Sequence, residues 1–376
     1  MNKAQFARRC RNWLAGGTLV CGLVAALVLN TVASMNAQDA PAAALAVTAF
    51  DTPTYSSPIA MSADKNHIWV VNPDDDSVSV IGNLGGTPSV IKNITNVGDE
   101  PQSIALDVGA APGQYRAYVA NAADNSVTVI NVTASNASSI TTAVQKTLIT
   151  GAEPYNIVAS PDGKRIFVAN SVQDTISVID TSTQNVIGAV DLRNSICNDP
   201  DRNLHFQPRG LAVTLNNDRL YVTRFLSFTG GANAKQGTDD GKVGVVCQLN
   251  INTNSVNIAD YSPTTRVEIG AQDSGFKIPG NANVTSAYPN QMQSIVIRGE
   301  QAYLPNIASS PLGPLRFNVD THAFVNVLDN VATGTPTDAS TAKFKNLQLG
   351  ARIPELNKTK LFFANPWAIA FTNQSG

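Results

Sequence analysis

The chain repeats itself at a fixed interval. Asn72, Asn121 and Asn170 stand 49 residues apart, and each closes an apolar run, WVVN, YVAN and FVAN. The clearest copy, residues 153–190, reads EPYNIVASPDGKRIFVANSVQDTISVIDTSTQNVIGAV. The others open at Ser57 (SPIAMSADKNHIWVVNPDDDSVSVIG), Glu100 (EPQSIAL…AYVANAADNSVTVI), Gln207 (QPRGLAVTLNNDRLYVTR) and Met292 (MQSIVIRGEQAYLPN). Asn306 holds the same place in the fifth copy, and Arg224 replaces it in the fourth. A period of this length means one supersecondary unit per copy, which buries its faces only against its neighbours.

Each copy reads as four short strands. In the third copy they are expected at 156–160, 165–169, 175–180 and 186–191, with turn chemistry between them. Ser160-Pro161-Asp162-Gly163 sets Pro where φ is fixed and Gly where φ must be positive. Asn170 and Asp174 bracket the next connection with short polar side chains that can bond the local backbone. Four antiparallel strands per unit is the blade of an all-β propeller. The composition agrees: only 14% of residues are charged, and Val with Gly, Pro, Asn, Thr and Ser suits strands joined by many turns.

SPDGKRIFVANSVQDTISVID and EPQSIAL…AYVANAADNSVTVI resemble YVTN-type β-propeller repeats, a family of exported and surface proteins, over residues 57–330. The resemblance implies the fold and leaves the activity open. Related propellers include surface scaffolds, lactonases, the haem-binding propeller of some nitrite reductases and fusions to c-type cytochrome domains. A shared fold does not choose among these.

Five full copies are present. A sixth is expected to begin at Asn365-Pro366-Trp367-Ala368-Ile369-Ala370-Phe371, with the first strand of a new blade at 369–371. The reading is an incomplete propeller over 56–376, five blades and the first strand of a sixth, from an intact ring of about seven. An N-terminal segment, 38–55, contains LAVTAF at 45–50, expected as an outer strand of a closing blade. Residues 1–37 read as a secretory signal: Lys3, Arg8, Arg9 and Arg11, then an uncharged apolar run, then small residues. An uncleaved anchor is the alternative, because the run is nearly long enough to span a bilayer. The expected location is periplasmic or extracellular. Without residues 1–37 the basic count falls from 26 to 22 against 28 acidic, a net charge of −6. A mildly acidic domain with no basic cluster argues against nucleic-acid and membrane partners beyond that leader.

Cys10 and Cys21 lie in the leader, which leaves Cys197 and Cys247. They are a candidate disulfide, with two free buried thiols as the alternative. No C-x-x-C-H haem motif, G-x-S-x-G, H-E-x-x-H or P-loop occurs, and no cofactor is identified.

Alternating strand direction sorts the connections onto two faces. One carries the first-to-second and third-to-fourth turns and stays plain. The other carries the second-to-third and blade-to-blade connections, with long insertions at 194–206, 225–241, 260–291, 307–313 and 330–365. Long loops on a rigid scaffold are where function concentrates, although insertions are also simply tolerated. On that face Gln102, Tyr155, Arg209, Gln293 and Trp367 open successive inner strands, and Gln102, Tyr155, Arg209 and Trp367 are candidate ligand-binding residues. Arg209 and Arg224 could hold an anionic group or pair with nearby Asp. His205 is the one histidine expected there, with His67 and His322 on the plain face. Asp199, Asp201 and Asn203 begin like a calcium loop but lack its Gly at position six and its Glu at twelve, which favours solvated Asx residues.

The first functional expectation is a non-catalytic binding or scaffold module that meets a protein or polymer partner on its loop-rich face. The alternative is the propeller portion of an extracytoplasmic redox enzyme whose haem or metal ligands lie in further C-terminal sequence.

Overall fold

The computed structural model describes residues 58–107, 109, 111–198, 204–231, 233–277, 284–312, 320–347 and 365–371. They fold into five antiparallel sheets, each built on one repeat. The first blade runs through Ile59–Met61, Ile68–Asn72, Ser77–Gly82 and Ser89–Ile94, paired in chain order. The second uses Pro101–Leu106, Gln114–Asn121, Ser126–Asn136 and Ser139–Ile149, and the third Pro154–Ala159, Arg165–Asn170, Thr175–Asp180 and Asn185–Asp191. In the fourth, Pro208–Val213, Arg219–Arg224, Lys242–Asn250 and Ser262–Ile269 form the four strands, and Phe228–Thr229 from the insertion pairs with Lys242–Asn250. This is the architecture of β-propeller blades.

The cores lie between the blades. The aromatic residue of each second strand points at the following blade. Trp69 packs with Ile104 and Val119, Tyr118 with Ile157 and Val168, Phe167 with Leu211 and Val222, and Tyr221 with Ile295 and Leu304. All four are fully buried. Burying each such side chain contributes about 2–3 kcal/mol, which is available only when the next blade is in place.

Polar ties of two kinds stitch the blades together. On the loop-rich face the residue just before the third strand accepts from the backbone N–H of the residue before the next inner strand. Asp76 takes Glu100 (2.8 Å), Asn125 takes Glu153 (2.9 Å) and Asp174 takes Gln207 (2.8 Å). All six have φ between 47° and 61°, so these ties hold a strained backbone in place. On the plain face the arginine near the start of the second strand reaches the next blade. Arg116 donates to the Thr181 carbonyl, Arg165 to the Ser255 carbonyl (2.9 Å) and Arg219 to the Gly334 carbonyl (2.6 Å). Within a blade, the repeated asparagine bonds two hydroxyls of the third strand: Asn121 to Ser126 and Thr128, Asn170 to Thr175 and Ser177.

The fifth blade departs most from expectation. Its third strand is Thr321–Asp329, paired with Gln301–Ser309, and it contains His322. The sequence places His322 on the plain face. The structure puts it near the loop-rich end of that strand, buried. The outer position is shared by two short strands, Thr337–Asp338 and Lys345–Asn346, separated by the single helical turn Ser340–Lys343. The insertions at 260–291 and 330–365 are expected on the loop-rich face, but residues 260–261 and 330–336 join third strands to outer strands and so lie on the plain face, and the described remainder of 260–291 is largely strand. That remainder supplies the fourth blade's outer strand, then a hairpin, Gln272–Lys277 with Val284–Asn290, that extends Gln301–Ser309. Long antiparallel ladders satisfy the backbone of these insertions, which an irregular loop would leave to solvent.

The stretch 365–371 contains no strand, unlike the expected opening of a sixth blade. Phe371 still sits edge-on to Tyr303 at 4.7 Å, with Arg298 5.2 Å above its ring. Tyr303 is the fifth blade's counterpart of Tyr118 and Tyr221, so Phe371 meets it as the next inner strand would. A ring contact does not supply the hydrogen-bonded ladder that makes a strand. The leader 1–37 and the segment 38–55 lie outside the described residues.

Candidate functional site

Inner strands bring the first residues of successive blades together at the loop-rich face. Glu100 and Glu153 each precede the proline that opens an inner strand, and both are left-handed at φ 55° and 54°. The Asp76 and Asn125 ties hold their N–H groups, so both carboxylates project from fixed backbone. Between them a cleft of about 390 Å³ is lined by Glu100, Ala122, Ala123, Glu153 and Tyr155.

Arg209 closes the site from the fourth blade. Its guanidinium lies 3.4 Å over the Tyr155 ring and 4.8 Å from that of Phe225, and Nη2 reaches Glu153 Oε1 at 3.3 Å. Burial lowers the Arg209 pKa, and Tyr155 and Glu153 oppose that pull. Burial also raises the Tyr155 phenol, with Arg209 opposing and Glu153 and Glu100 reinforcing. Tyr155 is therefore a neutral aromatic wall. The Gln102 amide donates to Glu100 (2.9 Å) and steadies the second carboxylate.

The other candidates separate from this cluster. Arg224 is 4% exposed and donates through Nε and Nη2 to the His205 carbonyl (3.2 and 2.8 Å), with its guanidinium 5.0 Å from the Phe228 ring. Arg266 approaches the same ring at 4.4 Å. Arg224 thus holds the backbone at His205 from within. His205 bonds through Nδ1 to the buried carboxylate of Asp174 at 2.7 Å, which also carries the Gln207 tie. Trp367 is exposed. Cys197 and Cys247 form a disulfide with Cα atoms 5.4 Å apart, both fully buried. Asp199, Asp201 and Asn203 lie outside the described residues. Among the described residues no group of three His, Cys, Asp or Glu side chains could hold a metal ion.

Sequence reasoning found Tyr155, Arg209 and Gln102 and passed over Glu100, Glu153 and Phe225. The signal for the acids was present: EPQS and EPYN carry Glu at the same repeat position in consecutive copies. Phe225 follows Arg224 in an insertion with no counterpart in the other copies, so no repeat logic points to it.

No family model and no curated protein matches the chain. Among solved structures, hydrazine synthase of Kuenenia stuttgartiensis aligns with 73% of this chain and 64% of its own at 16% identity and TM-score 0.47. A protein from Lactobacillus plantarum aligns over 77% of this chain and 74% of its own, at 15% identity and TM-score 0.44. A putative 6-phosphogluconolactonase from Bacteroides fragilis aligns over 78% and 81%, at 14% identity and TM-score 0.39. The chain thus spans a little under two thirds of the hydrazine synthase chain. At these identities and scores the likenesses assign no activity here.

Proposed function

We propose that this chain is an exported β-propeller of the YVTN type and serves as a binding or scaffold module. It engages a protein partner through its loop-rich face. The observation that carries this reading is the clustering of exposed large apolar side chains in that face's connections. Val172, Ile196, Leu204, Leu226, Leu312 and Trp367 are each 38–62% exposed. The plain-face turns offer fewer, chiefly Leu215 and Val256. Apolar groups held in solvent on a rigid scaffold are a mark of interaction surfaces. The buried Cys197–Cys247 disulfide supports export, because such bonds persist in oxidising compartments.

A photo-crosslinking side chain at position 226 or 312 of the full-length protein should give a discrete adduct in the producing cell. The same group at position 215 should give none. Equal labelling from both faces would defeat the reading. Recovery of the protein in the reducing cytosol with both thiols free would defeat the export part.

A further inference from the structure

The loop-rich face is not uniform. Over the first two blades, up to the start of the third, its connections at 73–76, 95–100, 122–125 and 150–153 hold acidic residues and no Lys or Arg. Asp74, Asp75, Asp76, Asp99, Glu100 and Asp124 are all exposed. The basic residue that reaches this region from the fourth blade, Arg209, is mostly buried and already turned to Glu153 and Tyr155. The cleft between Glu100 and Glu153 opens within this acidic half. The exposed apolar side chains Leu204, Leu226 and Leu312 belong to the connections of the third to fifth blades. One face therefore carries an acidic part with a cleft and a part where exposed leucines stand among polar and charged side chains such as Lys235 and Asp240.

We infer that the partner presents a basic amphipathic segment. Its Lys or Arg side chains lie over the acidic connections, and its apolar side chains meet Leu204, Leu226 and Leu312. This rests on the binding reading above and names the chemistry of the occupant. Charge complementarity argues for it. Like-signed carboxylates crowded on one surface repel an acidic partner and steer a basic one. The cleft offers a cationic head group the Glu100 carboxylate, held in place by Gln102, and Glu153 beside it. A wall of Ala122, Ala123 and Tyr155 can cover the apolar stem that Lys and Arg carry.

The test uses the full-length protein and two labelled peptides of equal length, one alternating Lys and Leu, the other Glu and Leu, read by fluorescence anisotropy. The Lys–Leu peptide should bind, and more weakly as salt rises from about 50 to about 300 mM, as the Debye length shortens. The triple variant D76N/E100Q/D124N keeps every side-chain oxygen that accepts the Asp99, Glu100 and Gln102 hydrogen bonds, and should weaken binding roughly tenfold. The plain-face variant D260N should leave it unchanged, and equal unfolding midpoints establish that the variants are folded. Binding of the Glu–Leu peptide equal to that of Lys–Leu, lost in L204S/L226S, would overturn the basic partner and leave the binding face standing. Lys–Leu binding indifferent to the triple variant would overturn the inference too. Failure of both peptides to bind would count against the inference and against the reading of the face.

Discussion

Replacing Cys197 and Cys247 together by alanine should cost about 3–4 kcal/mol of folding stability. The bond closes a loop of sequence separation 50, for which the chain-entropy relation gives roughly 4 kcal/mol. Both sulfurs lie in the core between the third and fourth blades, beside Leu192, Phe206 and Val245. Loss of the bridge also loosens a specific piece of structure. The described ends of this connection, 192–198 and 204–207, are otherwise held by Arg266, which donates to the Asn198 carbonyl (2.7 Å), and by Arg224 on the His205 carbonyl. Urea unfolding of the wild-type protein with and without reductant, beside the double variant, reads the effect. Reduced wild type and double variant should coincide well below the oxidised protein. An unchanged midpoint would show that the bridge contributes nothing. Ile196 and Leu204 are exposed on the same connection, so the double variant should also bind the Lys–Leu peptide less well.

Much of this fold was legible because the repeat carries the information several times over. In the third copy the expected strands match the observed ones to within two residues, since Pro161, Gly163 and the Asn170–Asp174 bracket each demand a particular backbone. Legibility failed where a copy stands alone. His322 is misplaced on the plain face because no second copy shares the 307–313 insertion that shifts the fifth blade's third strand along the chain. The hairpin at Gln272–Lys277 and Val284–Asn290 is illegible for the same reason, since no other copy carries it. At the site, position within the repeat identified Tyr155 and Arg209, but not what each would touch. Arg224 shows the difference. Alignment gave it the place of the repeated asparagine, and that position faces the third strand's hydroxyls in the other blades. A longer cationic side chain cannot make those bonds. It extends instead to the His205 carbonyl and Phe228, supplied by insertions that only this blade carries. The arginine ties of the plain face were equally unreadable, because their acceptors are backbone carbonyls of the following blade, and carbonyls leave no mark in a sequence.

Those ties set the other large effect, at Asp180. This residue and Arg165 are opposite one another across the second and third strands of the third blade. They form a 3.3 Å ion pair with both side chains nearly buried. Arg165 also donates to Tyr261 Oη and to the Ser255 carbonyl of the next blade, both at 2.9 Å, so the pair anchors one blade on another. Asp180→Asn strands a buried guanidinium without its counter-charge. Breaking such a pair from one side costs about 3–5 kcal/mol, and the neutral acceptors that remain to Arg165 place this case near 3. Burial raises the Asp180 pKa, but hydrogen bonds from Ser182 and the Arg165 charge outweigh it, so the folded value lies below the ordinary 3.8. The sign follows from linkage. A carboxylate with a depressed folded pKa contributes its full stability above the unfolded value and loses it as pH falls through the folded one. The gap in urea midpoint between wild type and Asp180→Asn should therefore be widest near neutrality and close in acid, as the pH falls through the lowered folded pKa. A gap that persists undiminished in acid would mean that the aspartate acts through shape rather than charge. If Arg165→Met restored the stability of Asp180→Asn, the cost would be assigned to the unpaired cation. If the two losses simply added, the ion pair would not be the source.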